Sequence, residues 1–260
     1  MKLDYAIADV APYINWIYFF HAWGSSHMPQ QDKVRLQAEA MERLQRHADH
    51  YHTHAVFRLL DAHSDGDDIV AGDTHIPMLR QQQADSKYLC LADFISPTND
   101  TVGLFATTVD AGMETDFDAD PYEKMMMQLL ADRLAEATAE RLHEEVRKHY
   151  WGYAPDEQLS MADMQQEKFQ GIRPAVGYPS LPDTSLNFVL NQLIDMQQIG
   201  IRLTESGAMK PHASVSGLMM AHPKACYFSL GKIGEDQLRD YARRRGVPVE
   251  LMRKFLGGNL

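Results

Sequence analysis

The sequence predicts an α+β protein with a largely antiparallel sheet, and three features carry that prediction. Short β-prone runs occur in neighbouring pairs separated by turn residues, as at residues 54–60 and 69–70 around Asp65-Gly66-Asp67-Asp68. Long helical segments interrupt these pairs and do not alternate with them strand by strand. No Gly-rich loop joins a strand to a helix, which argues against a dinucleotide-binding or phosphate-binding α/β fold.

The first half of the chain alternates helical and β-prone composition. Residues 13–23 form an aromatic-rich run that we expect to be a buried helix start or turn, and residues 30–53 have the composition of a helix. The strand at 54–60 and its hairpin turn follow. Two further apolar runs, at 87–95 and 102–109, are separated by a turn cluster of Ser, Pro, Thr, Asn and Asp.

The longest regular element is predicted at residues 118–150. Acidic residues near its start and basic residues near its end match the helix dipole. Its apolar positions recur every four residues and predict a stripe facing the core, formed by Leu130, Leu134, Thr138, Leu142 and Val146.

The rest of the chain continues the mixed pattern. Helices are predicted at 160–168, 184–198, 235–245 and 249–255, and strands at 203–206, 213–220 and 227–233. No stretch has the composition of a linker, so we expect residues 1–260 to form a single domain.

Composition narrows the partners and the compartment. Lys and Arg number 25 and Asp and Glu 36, and the net charge of −11 argues against nucleic acid or an anionic membrane as the main partner. Cys90 and Cys226 are too few for a disulfide framework, which favours a reducing cytoplasm, and each is expected to be a packed core thiol. The apolar run at 13–23 is too short to span a bilayer.

A nine-residue loop at 171–179, with the sequence GIRPAVGYP, is the strongest local signal for a binding site. Its two prolines fix φ and push Arg173 and Tyr178 toward extended geometry. Gly177 permits a conformation or a close approach that other residues do not. A rigid loop with an Arg fork and an aromatic ring suits a small ligand that carries a carboxylate and a cationic or flat group, while the alternative is a plain connector.

A row of acids lies on one face of the long predicted helix, at the spacing of four residues that stacks side chains: Asp132, Glu136, Glu140 and Glu144. Four acids without interleaved lysines repel one another, and a cationic ligand or a basic partner would offset that repulsion. A solvated helix face is the alternative. Asp132 and Glu136 are the most interesting pair, because their face must pass near the sheet.

Other chemistry finds little support in the sequence. His47, His50, His52 and His54 are close in the chain but lack the spacing of a metal motif, so no metal is expected. No nucleophile elbow or catalytic triad is recognisable. From the residues alone, the chain is an α+β domain with a small-ligand loop and an acidic helix face.

Longer motifs surround the loop in a fixed order: ADRLAEA at 131–137, YWGYAP at 150–155, LTES at 203–206, ASVSG at 213–217 and DYARR at 240–244. Together with RPAVGYP at 173–179, they resemble the activation domain of cobalamin-dependent methionine synthase. The resemblance extends over nearly the whole chain from about residue 11.

The resemblance implies a C-shaped or helmet-shaped α+β domain around a twisted antiparallel sheet with long helices. It also implies part of a methyltransferase system, in which S-adenosylmethionine re-methylates a cobalamin that has been oxidised to inactive cob(II)alamin. The cobalamin would be carried by a partner, either the methionine synthase core or another cobalamin-binding protein. A flavodoxin-like donor would supply one electron.

The family's functional residues can be placed on this chain. S-adenosylmethionine contacts are implied for Asn15, Arg173, Ala175, Gly177, Tyr178, Tyr227 and Phe228. Arg173 would bind the carboxylate, Glu136 and Tyr178 would position the sulfonium methyl, and Asp132 and Glu136 would face the corrin ring. Because cobalt is the nucleophile, the domain needs no general base; its task is positioning.

Two residues depart from the family pattern. Asn15 stands where the family has an Asp that pairs with the ligand's amino group, and Phe228 stands where the family has a tyrosine. They motivate an alternative, a non-catalytic module that binds a corrinoid protein. Because the other modules of the synthase are absent from the sequence, we expect action in trans; a fragment of a split methionine synthase is the further alternative.

Overall fold

A computed structural model describes residues 1–24, 28–83 and 87–260. The strands of these residues are β1 (Lys2–Ala6), β2 (His52–Asp65), β3 (Asp68–Ala71), β4 (Thr74–Pro77), β5 (Asp100–Val109), β6 (Arg202–Leu203), β7 (Met209–Lys210) and β8 (Ser214–Met219). The main sheet has the order β4-β3-β2-β5-β8, and β1 pairs with the first part of β2. Each of these pairings is antiparallel, and the sheet curls into a half-barrel.

The helices of the described residues are α1 (Ile7–Val10), α2 (Trp16–Ala22), α3 (Gln30–Arg46), α4 (Gly112–Thr115), α5 (Pro121–Glu145), α6 (Met161–Gln165), α7 (Leu186–Ile194), α8 (Glu235–Arg245) and α9 (Val249–Phe255). Short 3-10 turns cover Ala11–Tyr13, Leu91–Phe94, Met196–Ile199 and Gly257–Asn259, and a π-helical turn, Val146–Tyr150, continues α5. In the described residues no helix combines the length and the apolar character that crossing a bilayer requires.

The sheet separates two hydrophobic clusters. One face packs against α5, whose predicted stripe from Leu130 to Val146 is completely buried, and the other packs against α7. A smaller cluster holds α8 and α9 together. Because the sheet is covered on both faces, β5 is buried from Val102 to Val109, including the polar side chains of Thr107 and Thr108.

Most predicted elements are present, with shifted ends. The α+β class, the antiparallel sheet, the turn at Asp65–Asp68 and the closing helices are confirmed. The long helix begins at Pro121, where the Asp120 side chain caps it by accepting from the Tyr122 and Glu123 N–H groups. The helix predicted to reach residue 53 ends at Arg46, because β2 already begins at His52.

Four expectations were wrong. Of the strand predicted at 203–206, only Leu203 is in a strand, the two-residue β6. Residues 227–233 do not form a strand in the sheet; Leu230 N–H donates to Pro179 O, so this segment lies against the loop at 171–179 instead. In α2, Phe19 is buried, but Ile17 and Tyr18 are 73% and 61% exposed, so the aromatic run is not buried as a whole. Cys226 is exposed, whereas Cys90 is buried as expected.

Candidate functional site

The loop at 171–179 lies beside β8 and extends the sheet by one irregular strand. Ile172 and Met220 exchange backbone hydrogen bonds at 2.9 and 3.0 Å, and Leu218 N–H donates to Pro174 O at 3.0 Å. Val176 N–H donates to Ser216 O at 2.8 Å. The alternation of prolines with free N–H groups thus leaves enough donors to fix the loop to the strand.

Two glycines make this approach possible. A Cβ atom on Gly217 of β8 would lie 2.2 Å from Pro174 O, and one on Gly171 would lie 2.3 Å from Met220 O. Gly171 and Gly177 also have positive φ, at 83° and 90°. At Gly177 the chain turns, and its N–H donates to Leu181 O at 2.8 Å.

Arg173 is held from several sides. Its side chain is 7% exposed, its Nη2 donates to Glu140 Oε1 at 2.5 Å, and its guanidinium lies 5.4 Å from the centre of the Phe105 ring. Its backbone N–H donates to the Tyr227 hydroxyl at 2.9 Å. Burial opposes the charge, but the attraction of Glu140 leaves the pKa of Arg173 raised, so the guanidinium stays charged.

Tyr178, at the end of the loop, donates its hydroxyl hydrogen to Glu136 Oε1. Burial, followed by the charge of Glu136, raises the pKa of Tyr178. One turn earlier on α5, burial raises the pKa of Asp132 despite the opposing attraction of Arg133. Together, the Glu136 carboxylate and the Tyr178 hydroxyl form a pair that can orient a cation without reacting with it.

The acidic row on α5 is not a solvated helix face. Besides the contacts of Glu136 and Glu140, Glu144 accepts a hydrogen bond from the Tyr13 hydroxyl at 2.7 Å. Three successive turns of the helix thus hold three side chains that come from distant parts of the chain: Tyr13, Arg173 and Tyr178.

These three side chains line a cavity of about 560 Å³ between α5, the loop at 171–179, α6 and the segment before α2. The cavity brings together most of the residues singled out in the sequence: Asn15, Glu136, Arg173, Ala175, Tyr178, Tyr227 and Phe228. Gly177 and Asp132 do not line it. The roles assigned to all of these residues stay predictions.

The cavity carries opposite charges at close quarters. Its lining includes three carboxylates, Glu136, Glu140 and Glu167, and two guanidinium groups, Arg133 and Arg173, for a formal charge of −1. Burial, then the nearby Glu140, raises the pKa of Glu167. Arg133 Nε, Arg173 Nε and Glu140 Oε2 are buried without a hydrogen-bond partner in the described residues, so the charged side chains of the lining do not fully satisfy one another.

Asn15 has a structural role beside its predicted one. Its Oδ1 accepts from Ile17 N–H at 3.1 Å and caps the start of α2. Across the cavity, burial raises the pKa of Tyr227 to about 12, so its hydroxyl is protonated at neutral pH.

A buried polar cluster lies near Arg173, outside the cavity lining. His143 is fully buried on α5, and Arg147 in the π-helical turn pairs with Glu157 at 2.5 Å and lies 4.3 Å from the centre of the Phe169 ring. Burial, then the charges of Arg147 and Arg173, holds the pKa of His143 well below its usual range. The π-helical turn is of the kind that often occurs at functional sites.

Sequence reasoning missed several lining residues, among them Tyr13, Tyr18, Arg133, Met164 and Glu167. The four-residue spacing did point to Glu140, but only the structure shows that Glu140, and not Asp132, lines the cavity. A helix was predicted at 160–168, but nothing in its sequence marked α6 as part of a binding site, because Met and Gln on a five-residue helix resemble ordinary packing.

The histidines do not converge. His54 lies between Asp4 and Asp110, with nitrogen–oxygen distances of 2.6 and 2.9 Å, while His47 and His50 pack against the Tyr51 ring. Within residues 1–24, 28–83 and 87–260, no three His, Cys, Asp or Glu side chains form a group suited to a metal ion.

The fold and the cavity define the class of protein as an α+β domain that binds a small ligand. Its cavity is lined by both positively and negatively charged side chains, and no nucleophile is recognisable among the residues of this lining. The sequence model of a family described as the vitamin B12-dependent methionine synthase activation domain matches residues 6–246. The chain therefore belongs to this family, as the resemblance indicated.

A solved crystal structure agrees with this assignment. It is described as the MetH reactivation domain bound to AdoHcy, and it shares 36% sequence identity with this chain. The match covers 100% of this chain and 90% of the other, with a TM-score of 0.93. The predicted α+β fold around a twisted antiparallel sheet with long helices is thereby confirmed, and the sheet is a curled half-barrel.

Proposed function

We propose that this chain binds S-adenosylmethionine in the cavity and presents its methyl group to the cobalamin of methionine synthase, so that inactive cobalamin is restored. The observation that carries the proposal is the cavity itself, where Arg173, Glu140, Glu136 and Tyr178 are fixed around one space. Membership in the activation-domain family and the AdoHcy-bound neighbour support the same ligand.

The cavity suits this ligand in size and charge. About 560 Å³ lies within the usual 300–1,000 Å³ of small-ligand sites. S-adenosylmethionine carries a sulfonium, an ammonium and a carboxylate, for a net charge of +1, which complements the formal charge of −1 of the lining. AdoHcy lacks the sulfonium charge, so the electrostatic match favours the methyl donor over the demethylated product.

The predicted roles fit the positions of the residues. Arg173 offers the carboxylate a charged donor, Asn15 lies in the lining as an acceptor for the amino group, and Glu136 with Tyr178 can hold the sulfonium. Ala175 offers backbone contacts to adenine or ribose, beside Tyr227 and Phe228. We propose that Asp132, outside the cavity on the same helix face, points toward the corrin ring, and that Gly177 acts by shaping the loop.

Cobalamin held by its own module would supply the nucleophile once one electron from a flavodoxin-like donor had reduced it, and the methyl transfer would leave AdoHcy in the cavity. This chain's residues supply orientation only, which agrees with the absence of a recognisable nucleophile elbow or catalytic triad from its sequence. The proposal holds for a cobalamin module on the same polypeptide or on another one, within the cytoplasm that the cysteine content favours. We propose that residues 1–260 act as one domain.

Calorimetry tests the ligand. Binding of S-adenosylmethionine is expected, and no heat of binding at millimolar ligand would refute the proposal. The reaction is tested by following a labelled methyl group from S-adenosylmethionine to a separately prepared cobalamin protein in the presence of a reductant. Transfer on mixing supports action in trans, and omission of the reductant should abolish it.

A second candidate, a module that binds a corrinoid protein without catalysis, is favoured by Asn15, whose Oδ1 is already engaged as a helix cap. A pull-down against a cobalamin-loaded protein distinguishes the two. Capture that is independent of S-adenosylmethionine, without methyl transfer, supports the second candidate.

A further inference from the structure

Glu140 is the residue of the acidic row on α5 that contacts Arg173 directly, and this contact affects how a ligand can reach the Arg173 guanidinium. Its Oε1 accepts from Arg173 Nη2 at 2.5 Å, and both residues line the cavity. The two residues are 33 positions apart in sequence, so the contact depends on the fold.

The three guanidinium nitrogens of Arg173 have different environments. Nη2 is bonded to Glu140, and Nε is shut off from solvent without a partner. Nη1 has no hydrogen-bond partner in the described part of the chain, yet it is not among the fully buried unpaired atoms. Nη1 is therefore the nitrogen that a ligand entering the cavity can reach, and the bond to Glu140 fixes which nitrogen that is.

Nothing else on the side chain fixes that choice so firmly. The Phe105 ring, 5.4 Å from the guanidinium carbon, covers one face but leaves rotation in the plane free. The hydrogen bond to Tyr227 is made by the backbone N–H and does not hold the guanidinium. A buried guanidinium is also stable only beside an opposite charge, and before the ligand binds Glu140 supplies that charge to Arg173.

We infer that Glu140 is a positioning residue for ligand binding: it holds the Arg173 guanidinium so that Nη1 faces the ligand's carboxylate. The inference rests on the proposed function, because it takes the ligand to be S-adenosylmethionine or AdoHcy. Glu140 was not among the site residues predicted from the sequence. The inference also gives the acidic row a common role, because Glu136 and Glu144 hold Tyr178 and Tyr13 by hydrogen bonds in the same way.

The test compares two ligands that differ at the amino-acid end. AdoHcy carries the carboxylate and the ammonium, whereas 5′-methylthioadenosine has neither but keeps the nucleoside and the sulfur. Glu140→Gln preserves shape and a hydrogen-bond acceptor but removes the charge, so the variant is expected to fold. Because a charge-assisted bond is about twice as strong as a neutral one, we expect roughly fivefold to tenfold weaker AdoHcy binding.

Binding of 5′-methylthioadenosine is expected to stay within about twofold of the wild type, since no charged group then meets Arg173. Glu145→Gln is the matched control. Glu145 lies on the same helix and accepts from Tyr5 OH at 2.7 Å, but neither Glu145 nor Tyr5 lines the cavity. Neither ligand should bind differently to this variant.

Adding Arg173→Met separates positioning from direct contact. If Glu140 acts through Arg173, Glu140→Gln causes no further loss of AdoHcy affinity in the Arg173→Met background. A further loss there, an equal loss for both ligands, or unchanged AdoHcy affinity in Glu140→Gln would each overturn the inference. Wild-type protein that binds no AdoHcy at millimolar concentration would instead refute the proposed function itself.

Discussion

Replacing Gly217 by alanine tests how the loop at 171–179 is held against β8. The new Cβ would lie 2.2 Å from Pro174 O, and 2.9 Å from both Ala175 Cα and a Phe105 ring carbon. Because an ordinary carbon–oxygen contact is about 3.3 Å, the loop must move by about 1 Å. Backbone, not a flexible side chain, stands in the way, so no rotamer change can relieve the clash.

The displacement breaks or strains the two hydrogen bonds that flank Gly217, from Val176 N–H to Ser216 O and from Leu218 N–H to Pro174 O. With about 0.5–1.5 kcal/mol for each of the two bonds and about 1–3 kcal/mol for overpacking, we expect a destabilisation of about 2–6 kcal/mol. For a chain of this size, that corresponds to a fall in Tm of roughly 4–24 °C. AdoHcy affinity should fall as well, because Arg173 moves with the loop.

Thermal denaturation and calorimetry with AdoHcy check both parts. Gly257→Ala is the control, since a Cβ there meets nothing within 4 Å. A Gly217→Ala protein with unchanged Tm and unchanged affinity would refute the argument that close backbone approach at Gly217 holds the binding loop.

Four further outcomes are expected. Arg173→Ala should weaken S-adenosylmethionine binding by about 2–4 kcal/mol, as measured by calorimetry, and unchanged affinity would mean that the loop binds another group. Asn15→Asp should strengthen that binding about tenfold and keep the cap of α2, because Asp caps helices as well as Asn does. The pKa of His143 lies well below 6.5 in the folded chain, so below about pH 6.5 the unfolded chain binds more protons than the folded one. The free energy of unfolding should therefore drop as the pH falls below about 6.5. His143→Gln should flatten this dependence, as measured by urea denaturation at pH 5 and 7.5. Glu157→Ala leaves the fully buried Arg147 unpaired and should cost about 3–5 kcal/mol, whereas an unchanged urea midpoint would show that Arg147 finds another partner.

Local patterns predicted the parts of this protein that depend on neighbours in sequence. The stripe from Leu130 to Val146 identified the buried face of α5, because helical periodicity brings residues four apart together. The prolines and Gly177 identified the irregular loop. The family resemblance added the ligand, and with it seven of the twenty described residues that line the cavity.

Predictions failed where a segment's partner is distant in sequence. Residues 227–233 have the composition of a strand, yet their backbone pairs with Pro179 instead of with a sheet strand. The edge strand β1 escaped notice, since its five residues are strand only by pairing with β2, about 50 positions away. Propensity describes what a segment can form, and tertiary contacts decide what it does form.

The acidic row on α5 shows most directly which features follow from spacing along the chain and which follow from contacts between distant segments. The helix repeat alone places Glu136, Glu140 and Glu144 on one helix face, so their spacing in the chain is enough to predict it. Their partners, Tyr178, Arg173 and Tyr13 in the same order, became known only from the folded structure, because they lie 42, 33 and 131 positions away in sequence. Charge attraction and hydrogen bonding act through space, so their partners are set by how the sheet curls and where the loop lies against β8, and not by spacing along the chain.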